Sequence, residues 1–400
     1  MGDIMKEGKN IPEIRFKGFE GKWEERNIGQ IAKVSTGYPF ESNLFNDKGK
    51  LLVITNGNIQ NNSAFVDKSV GNRIDINNDI ILNEYILKKN DILVTMDGTV
   101  GRTAKVKEQN QILAQRVGRL TSNTEAEFLY QFLNTGKFFQ KMMSISHGGT
   151  IKHISLLEIS NYKDLVPTNK KEQSQIGTFF QNLDKQITLE QQKHDKLVTL
   201  KKAMLEKMFP KEGASVPEIR FEGFEGEWIQ KEIKELFKIT RGEVLAATET
   251  SQVKTGFMTY PVYSSQTKNN GLMGYYHDYL FENAITWTTD GANAGTVKYR
   301  KGKFYSTNVN GVLLSDDGYA NQAIAESINI IAWKHVSYVG NPKLMNNVMS
   351  KIKIYISDSL EEQQLISDYF NTFDTFISLQ KQKIDKLKNI KKACLDKMFV

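Results

Sequence analysis

The chain repeats itself, and this internal duplication constrains its fold more than any other feature. Residues 12–23 (PEIRFKGFEGKW) recur at residues 217–228 (PEIRFEGFEGEW), with ten of the twelve positions identical. Residues 171–209 match residues 361–399 at 19 of 39 positions. The sequence is therefore a tandem copy of one module, in which a short motif is followed by a variable block and then by a long repeated segment.

The variable blocks, at about residues 24–168 and 229–357, share one landmark, because residues 90–98 (NDILVTMDG) align with residues 283–291 (NAITWTTDG). Short apolar runs bounded by turn residues predict strands, and longer runs predict helices. We expect strands at residues 51–55, 112–121, 261–265 and 311–315, and helices at residues 125–143 and 319–334. Each block is thus predicted to have a mixed α+β fold. Two blocks that share a frame but differ in sequence suggest two related ligands that are recognised separately.

The long repeated segments, residues 169–211 and 358–400, have the pattern of helices. Their apolar residues recur at steps of three and four, which is the seam of a coiled coil. Asn169 and Ser359 each precede a glutamate by three positions, as in a helix capping box. About 39 residues at ~1.5 Å per residue give a rod of roughly 58 Å, which needs a partner for its apolar stripe. We predict that the two helices pair antiparallel, with the blocks at opposite ends; a helical hairpin inside one compact domain is the alternative.

The sequence lacks the signatures of several function classes. With one cysteine, Cys394, the chain can form no internal disulfide. The first ten residues are polar and no long apolar run follows, so we expect no secretory signal, no membrane span and a cytoplasmic location. Phosphate-loop, dinucleotide-binding and nuclease motifs are missing, and Asn341-Pro342-Lys343 does not match the Asn/Asp-Pro-Pro-aromatic motif of methyltransferases. His147 and His153 are spaced unfavourably for a metal site. We therefore expect no catalytic residues and no metal.

Two basic stripes and a glycine loop are candidate DNA contacts. The net charge of +7 permits a nucleic-acid partner without requiring one. One stripe follows a hairpin turn predicted at Asp97-Gly98, and the other lies in residues 297–305, where basic residues alternate with aromatic ones. An ordinary solvated sheet face and an ordinary turn are the alternatives. The candidates are Arg102, Thr103, Lys105 and Lys107 in the first stripe, Gly148, Gly149, Thr150 and Lys152 in the loop, and Lys298, Arg300, Lys301 and Lys303 in the second stripe.

This arrangement resembles the specificity subunit of type I restriction-modification enzymes over nearly the whole chain. The repeated residues 12–23 and 217–228 resemble the family's lead-in motif, and residues 92–101 resemble a strand-turn segment of its recognition domains. Glu172-Gln173 with Ile176, and Glu362-Gln363 with Ile366, resemble the Glu-Gln-x-x-Ile start of its conserved helices. The resemblance implies an α+β fold with two mixed α/β target-recognition domains, separated by two long antiparallel coiled-coil helices with a pseudo-twofold repeat. The segments would be residues 1–168 and 212–357 for the lead-ins and recognition domains, and residues 169–211 and 358–400 for the helices.

The same resemblance implies a function. Each recognition domain would read one half of a bipartite, asymmetric double-stranded DNA target, and the helices would set the spacer and dock two copies of a modification subunit. That methyltransferase subunit would carry S-adenosylmethionine, and restriction subunits would use ATP and Mg²⁺, so this chain would bind no cofactor and would not be catalytic by itself. Charged residues that interrupt the helix seam, namely Glu190, Lys201 and Lys391, are the candidate partner-binding positions. The alternative is a scaffold without DNA that presents two protein-binding domains on a coiled coil.

Overall fold

The computed structural model describes residues 10–60, 63–123, 125–265 and 268–400. Most of the N-terminal segment in which we expect no secretory signal, residues 1–9, lies outside this description. The chain forms two compact units, which we call unit 1 (Met1–Glu190 with Lys383–Val400) and unit 2 (Gln191–Gln382). Their boundaries fall within the two long helices, so they follow a different division from the four predicted segments, which stay a prediction.

The elements follow the order of the two repeats. The first repeat contains β1 (Glu24–Asn27), α1 (Ile28–Ile31), β2 (Ala32–Thr36), β3 (Leu51–Ile54), β4 (Arg73–Ile74), α2 (Asp79–Tyr85), β5 (Ile92–Thr95), β6 (Thr103–Lys105), β7 (Gln111–Leu113), β8 (Val117–Ser122), α3 (Ala126–Leu133), α4 (Lys137–Ile145), α5 (Leu156–Asn161), β9 (Lys163–Val166) and α6 (Lys170–Met208). The second contains β10 (Ile229–Glu232), α7 (Ile233–Leu236), β11 (Lys238–Arg241), β12 (Tyr260–Tyr263), β13 (Leu272–Tyr276), β14 (Phe281–Thr288), β15 (Val297–Ser306), β16 (Asn310–Leu314), α8 (Gln322–Ala332), α9 (Asn346–Met349), β17 (Lys353–Ile356) and α10 (Leu360–Met398). Short 3₁₀ turns lie at Ser42–Leu44, Asn56–Asn58, Ala247–Glu249 and Trp333–His335.

Unit 1 is built on a four-stranded sheet of order β2-β8-β5-β6, a three-stranded sheet of order β4-β3-β7 and the pair β1-β9. The predicted hairpin is confirmed, because β5 and β6 pair antiparallel. The strand predicted at residues 112–121 is two strands, since Arg116 adopts φ +64° in a tight turn between them. The helix predicted at residues 125–143 is broken for a similar reason, because Gly136 has φ +97° and separates α3 from α4.

Unit 2 is built on a six-stranded sheet of order β11-β16-β14-β15-β12-β13 and the pair β10-β17. The basic segment at residues 297–305 lies in a strand, β15. Helix α8 is shorter than predicted because the Asn321 side chain accepts a hydrogen bond from the Ile324 amide and fixes the helix start. The α8 side chains Ile324 and Ile328 belong to one buried core with Ile285 and Trp287 of β14.

The two long helices are present, with 39 residues each. In unit 1, Asp184 of α6 pairs with Lys391 of α10, and Glu190 pairs with Lys383. Residue numbers increase along α6 where they decrease along α10, so the two helices are antiparallel. Unit 2 shows the same direction, with Lys201 bonded to Asp374 and the Phe209 ring packed on the Phe370 ring, 5.9 Å between centroids. The predicted antiparallel pairing is confirmed in each unit. None of the helices in the described ranges is both long and apolar enough to span a membrane.

The repeated lead-in motif forms hydrogen bonds to the ends of these helices. In unit 1, Arg15 donates to the buried Glu172 carboxylate at the start of α6, with Nε 2.7 Å and Nη2 2.8 Å from its oxygens. The Ile14 amide donates to the Lys397 carbonyl, one of those that the last turn of α10 leaves without a helical partner. The motif therefore joins the start of one helix to the end of the other within a single unit.

Unit 2 repeats this arrangement with its own copy of the motif. Arg220 donates to Glu362 at 2.6 and 2.9 Å, and the Ile219 amide donates to the Lys207 carbonyl at 2.9 Å. The predicted capping box at Ser359 is only half formed, and Asn169 accepts from the Lys171 amide in place of the predicted Glu172 amide. Ser359 accepts from the Glu362 amide as expected, but the glutamate side chain binds the arginine and does not return to the cap. The cause is the arginine, which offers a carboxylate two charge-assisted bonds where the cap offers one neutral N–H.

Candidate nucleic-acid interface

The hairpin turn and the glycine loop of unit 1 form one exposed edge. The Gly98 amide donates to the Lys152 carbonyl at 2.8 Å, and the Ile154 amide donates to the Met96 carbonyl at 2.9 Å. Gly148 has φ +97°, and a Cβ there would lie 2.3 Å from the Ile151 carbonyl oxygen, so this loop requires glycine. The hairpin turn and the glycine loop, which the sequence predicted as separate features, are therefore hydrogen-bonded to each other. Gly148, Gly149 and Thr150 are exposed, and Lys152 is half-buried.

Charged side chains flank this edge. His153 Nδ1 lies 2.5 Å from an Asp97 oxygen, and Arg116 Nη1 lies 3.2 Å from the other oxygen. His147 Nε2 lies 2.8 Å from Glu158. Burial of Glu158 opposes the change, but bonds from the Ser155 amide and hydroxyl and from His147 hold its pKa below the usual value. Tertiary folding therefore gives both histidines a carboxylate that the sequence did not place beside them. The described residues contain no group of three or more side chains suited to hold a metal ion.

The first predicted basic stripe does not form one exposed face. Lys105 is buried, with Nζ 2.6 Å from Glu127 and 4.5 Å from the centre of the Tyr130 ring. Thr103 is also buried, and its hydroxyl accepts from Nδ2 of the Asn134 side chain at 2.8 Å. The predicted stripe is wrong at these two positions, because β6 packs against α3. Of the remaining members, Lys107 is exposed and Arg102 is half-buried.

Arg102 lines a basic cleft in unit 1 of about 830 Å³. The cleft lies between the residues that follow the hairpin turn, the α3–α4 connection and the C-terminal part of α10. Lys388, Lys391 and Lys392 contribute from α10, and Asp184 and Asp396 are the acidic members. Lys388 and Lys392 were not candidates, since the helical repeat alone assigns them to an ordinary solvated face. The cleft can accept a polyanion, because its cations outnumber its carboxylates.

The second basic stripe is divided between the two faces of β15. Lys301 and Lys303 are exposed, and Lys303 Nζ lies 4.5 Å from the centre of the Tyr279 ring. Lys298 and Arg300 occupy the opposite face, as the two-residue period of a strand requires. Arg300 is buried, so the prediction of one exposed basic segment is correct only for Lys301 and Lys303.

Lys298 and Arg300 line a polar cavity of about 210 Å³. Arg300 Nε donates to the Thr286 hydroxyl at 3.1 Å, and Nη1 donates to the Asn270 carbonyl at 2.9 Å. The guanidinium lies 3.7 Å from the centre of the Tyr263 ring. Burial lowers the pKa of Lys298 and lowers the pKa of Arg300 to about 10. The other lining residues are Ser264, Ser265, Gly271, Thr288, Asn293, Thr296 and Asn310.

Unit 2 has an exposed loop, residues 337–343, built like the glycine loop of unit 1. The Gly291 amide donates to the Pro342 carbonyl at 3.0 Å, and the backbones of Ser337 and Lys343 bond to each other at 2.8 and 2.9 Å. Tyr338 and Val339 are 69% and 92% exposed. This loop was not among the candidates predicted from the sequence, in which residues 341–343 served only to exclude a methyltransferase motif. The loop could have been found from its position after α8, which matches the position of residues 147–153 after α4.

The sequence profile of the type I restriction modification DNA specificity domain matches residues 20–199 and 225–389. The chain belongs to this family. It is a type I restriction-modification specificity subunit with two recognition domains, one from each repeat. The family places DNA-target recognition in these domains, so the two exposed edges are the candidate nucleic-acid interface of a specificity subunit.

Two relatives from Mycoplasma pneumoniae match this specificity subunit over less than half of its length. A putative type I specificity subunit N-terminus from Mycoplasma pneumoniae is 38% identical over 144 residues, which cover 35% of this chain and 75% of that protein. The type I restriction enzyme MpnII specificity subunit of the same organism is 30% identical over 191 residues, 44% of this chain and 53% of that protein. The crystal structure of an S subunit from M. genitalium has the same fold, with a TM-score of 0.74 at 17% identity over 98% of this chain and 99% of that one.

The candidate partner-binding residues of the specificity subunit have partners inside its own units. Lys391 bonds Asp184 at 2.6 Å, and Glu190 bonds Lys383 at 3.0 Å. Lys201 bonds Asp374 of α10 and Glu326 of α8, at 2.8 and 2.9 Å. These interruptions of the apolar seam therefore hold packed elements together, and their role in partner binding stays a prediction, as does DNA contact by the twelve candidates. Large apolar side chains do face outward on α10, where Phe376 and Leu379 are 54% and 55% exposed.

Proposed function

We propose that this specificity subunit reads a bipartite, asymmetric DNA target, with one half read by unit 1 and the other by unit 2. The observation that carries the proposal is the pair of exposed edges, which share a backbone design and differ in side chains. The edge of unit 1 presents glycines, a threonine and histidines, whereas that of unit 2 presents Tyr338 and Val339. Hydrogen bonds and apolar contacts to base edges distinguish sequences, so edges with different side chains would select different half-sites.

Cations around each edge would supply the contacts to DNA phosphates. Arg116, which bonds Asp97 beside the unit 1 edge, and the exposed Lys343, which pairs with Asp290 in the unit 2 edge, are suited to this role. Such contacts fix the register of a protein on the duplex and make its affinity depend on salt. We accordingly assign sequence selection to the loops at residues 147–153 and 337–343, and general affinity to the cations.

The helices would dock the partner subunits. We propose that α6 and α10 bind two modification subunits through outward apolar side chains such as Phe376 and Leu379, since buried aromatic and aliphatic anchors dominate interface energies. S-adenosylmethionine would be carried by those subunits, and ATP and Mg²⁺ by restriction subunits. The specificity subunit would then contribute recognition and no catalytic group.

A methylation map tests the proposal. The chain would be co-expressed with its cognate modification subunit in a host free of DNA methylation, and N6-methyladenine would be mapped by single-molecule sequencing. We expect a single motif of two short half-sites around a fixed gap. Two variants sharpen the test: Y338A/V339A should relax one half-site, and K152A should relax only the other.

Relaxation of the same half-site by both variants would contradict the assignment of one half to each unit. If no methylation occurred although the complex was assembled and the modification subunit was active, the alternative function would gain support. That alternative is a coiled-coil scaffold presenting two protein-binding domains without DNA.

A further inference from the structure

The two units differ in chemistry on one buried face of the recognition sheet. Strand β5 corresponds to the second half of β14, because an asparagine with positive φ lies two positions before Ile92 and before Ile285, namely Asn90 at 74° and Asn283 at 48°. With this alignment, the residues of β6 that pair with β5 correspond one by one to the residues of β15 that pair with β14. Unit 1 has Leu93, Ala104 and Val106 on this face, all within an apolar core, where unit 2 has Thr286, Lys298 and Arg300. The same backbone thus encloses a dry core in one unit and a polar cavity in the other.

The cations of the unit 2 cavity have no carboxylate bonded to them among the described residues. In unit 1 the face has one arginine, Arg119, and Asp91 lies 2.6 Å from it. The position of Asp91 is taken by Ala284 in unit 2, opposite Arg300. Residues 261–272, which contribute part of the cavity wall, contain no Asp or Glu. The charge of this cavity is therefore not neutralised by direct contact in the part of the chain that the structure describes.

The carboxylates that act electrostatically on Lys298 are already engaged. Glu326 and Asp374 act on Lys298 from a distance, and both bond Lys201 directly, at 2.9 and 2.8 Å. Removing cations from water is costly unless a close partner compensates. Unit 1 demonstrates that alanine and valine fit the two positions, so the fold does not require cations there. Binding of an anionic ligand would explain why unit 2 has Lys298 and Arg300 there although removing them from water is unfavourable.

We propose that the cavity lined by Lys298 and Arg300 in unit 2 is a binding site for a phosphate group. An arginine and a lysine together carry eight N–H hydrogens, and bonds to Asn270, Thr286 and Tyr263 engage only some of them. The remaining donors and the surrounding hydroxyls and amides suit an oxyanion, and a cavity of about 210 Å³ accommodates one with water. The group is either a backbone phosphate of bound DNA or a free phosphate or nucleotide.

The first experiment needs no DNA. Thermal unfolding of the full chain would be followed with increasing inorganic phosphate and, as a control, with sodium chloride at equal ionic strength. Phosphate should raise the Tm of the wild-type chain more than chloride does. In K298A/R300V, which installs the residues of unit 1, phosphate affinity should fall more than about tenfold, as expected for lost charge-assisted bonds. R300K, which keeps the charge, should retain part of the binding.

A charge-matched control separates the cavity from general electrostatics. K238A/K254A removes two exposed lysines of unit 2 and should leave the phosphate effect unchanged. K298A/R300V should fold at least as stably as the wild type, since it deletes one buried and one half-buried cation. Equal stabilisation of the wild type and K298A/R300V by phosphate would overturn the proposal, and so would no stabilisation of the wild type beyond chloride.

The second experiment identifies the source of the phosphate. Duplex binding by the chain in complex with its modification subunit would be measured between 50 and 200 mM salt. If the cavity takes a backbone phosphate, K298A/R300V weakens binding and reduces the slope of log K against log salt by about one or two. If it takes a free phosphate or nucleotide, DNA affinity is unchanged while the thermal effect persists. Loss of DNA binding without any phosphate effect would overturn the proposal, because it would indicate contact with a base. The thermal result is independent of DNA recognition and thus of the proposed function.

Discussion

The bond between the repeated lead-in arginine and the glutamate that starts each long helix allows a quantitative test. In unit 2 the Glu362 carboxylate is 0% exposed and receives two hydrogen bonds from Arg220, at 2.6 and 2.9 Å. The arginine retains contact with water and also donates to the Gly226 carbonyl at 2.6 Å. The two partners therefore differ in burial. Without Arg220 the Glu362 carboxylate would stay buried, whereas without Glu362 the arginine would still contact water.

The structure gives an order of stabilities for three variants. R220L leaves a fully buried carboxylate without its cation, which should cost about 3–5 kcal/mol of unfolding free energy. E362L leaves Arg220 near water with a remaining carbonyl acceptor, which should cost about 1–3 kcal/mol. R220L/E362L removes both charges, and replacement of a buried ion pair by apolar residues ranges from neutral to stabilising. The double variant should thus be more stable than R220L by at least about 2 kcal/mol.

Urea unfolding of the full chain, followed by tryptophan fluorescence, measures these differences, and amide hydrogen exchange at the start of α10 locates them in unit 2. R15L/E172L and its single variants are the matched set in unit 1, where the same order is expected at the start of α6. If R220L/E362L proved as unstable as R220L, burial of an unpaired carboxylate would not be the source of the cost, and the reasoning would be refuted.

Three further predictions follow from individual contacts. Trp23 Nε1 donates to the buried Glu172 carboxylate at 3.3 Å, whereas Trp228 Nε1 is buried with no acceptor among the described residues; both Trp→Phe changes remove the same volume, so W23F should cost about 1 kcal/mol more than W228F in urea unfolding. K391E should destabilise unit 1 by up to about 1 kcal/mol, and the swap D184K/K391E should restore its stability; if the swap also restored modification-subunit binding lost in K391E, the lysine would act through the fold. F376S should change chain stability by less than about 0.5 kcal/mol and weaken modification-subunit binding about tenfold or more, as measured by calorimetry; unchanged affinity would count against docking at this position.

Features with a local pattern could be predicted from the sequence. A helix seam and a hairpin turn are encoded within a few residues, and so α6, α10 and the β5–β6 hairpin were found. Repetition of whole segments indicated a tandem module and, through it, the family. Helix and strand ends were less secure, because single backbone conformations such as those of Arg116 and Gly136 decide them.

The partner of each charged side chain was decided only by the tertiary structure. The lead-in arginines reach glutamates 157 and 142 residues away, a distance at which no local pattern operates. For the same reason Lys105 was assigned to the surface, although α3 brings Glu127 to it. Two strands of identical period place Val106 in an apolar core and Arg300 in a polar cavity. The sequence by itself determined that there are two related modules joined by long helices, whereas burial, which depends on all neighbours at once, decided which charges are structural and which remain available to a ligand.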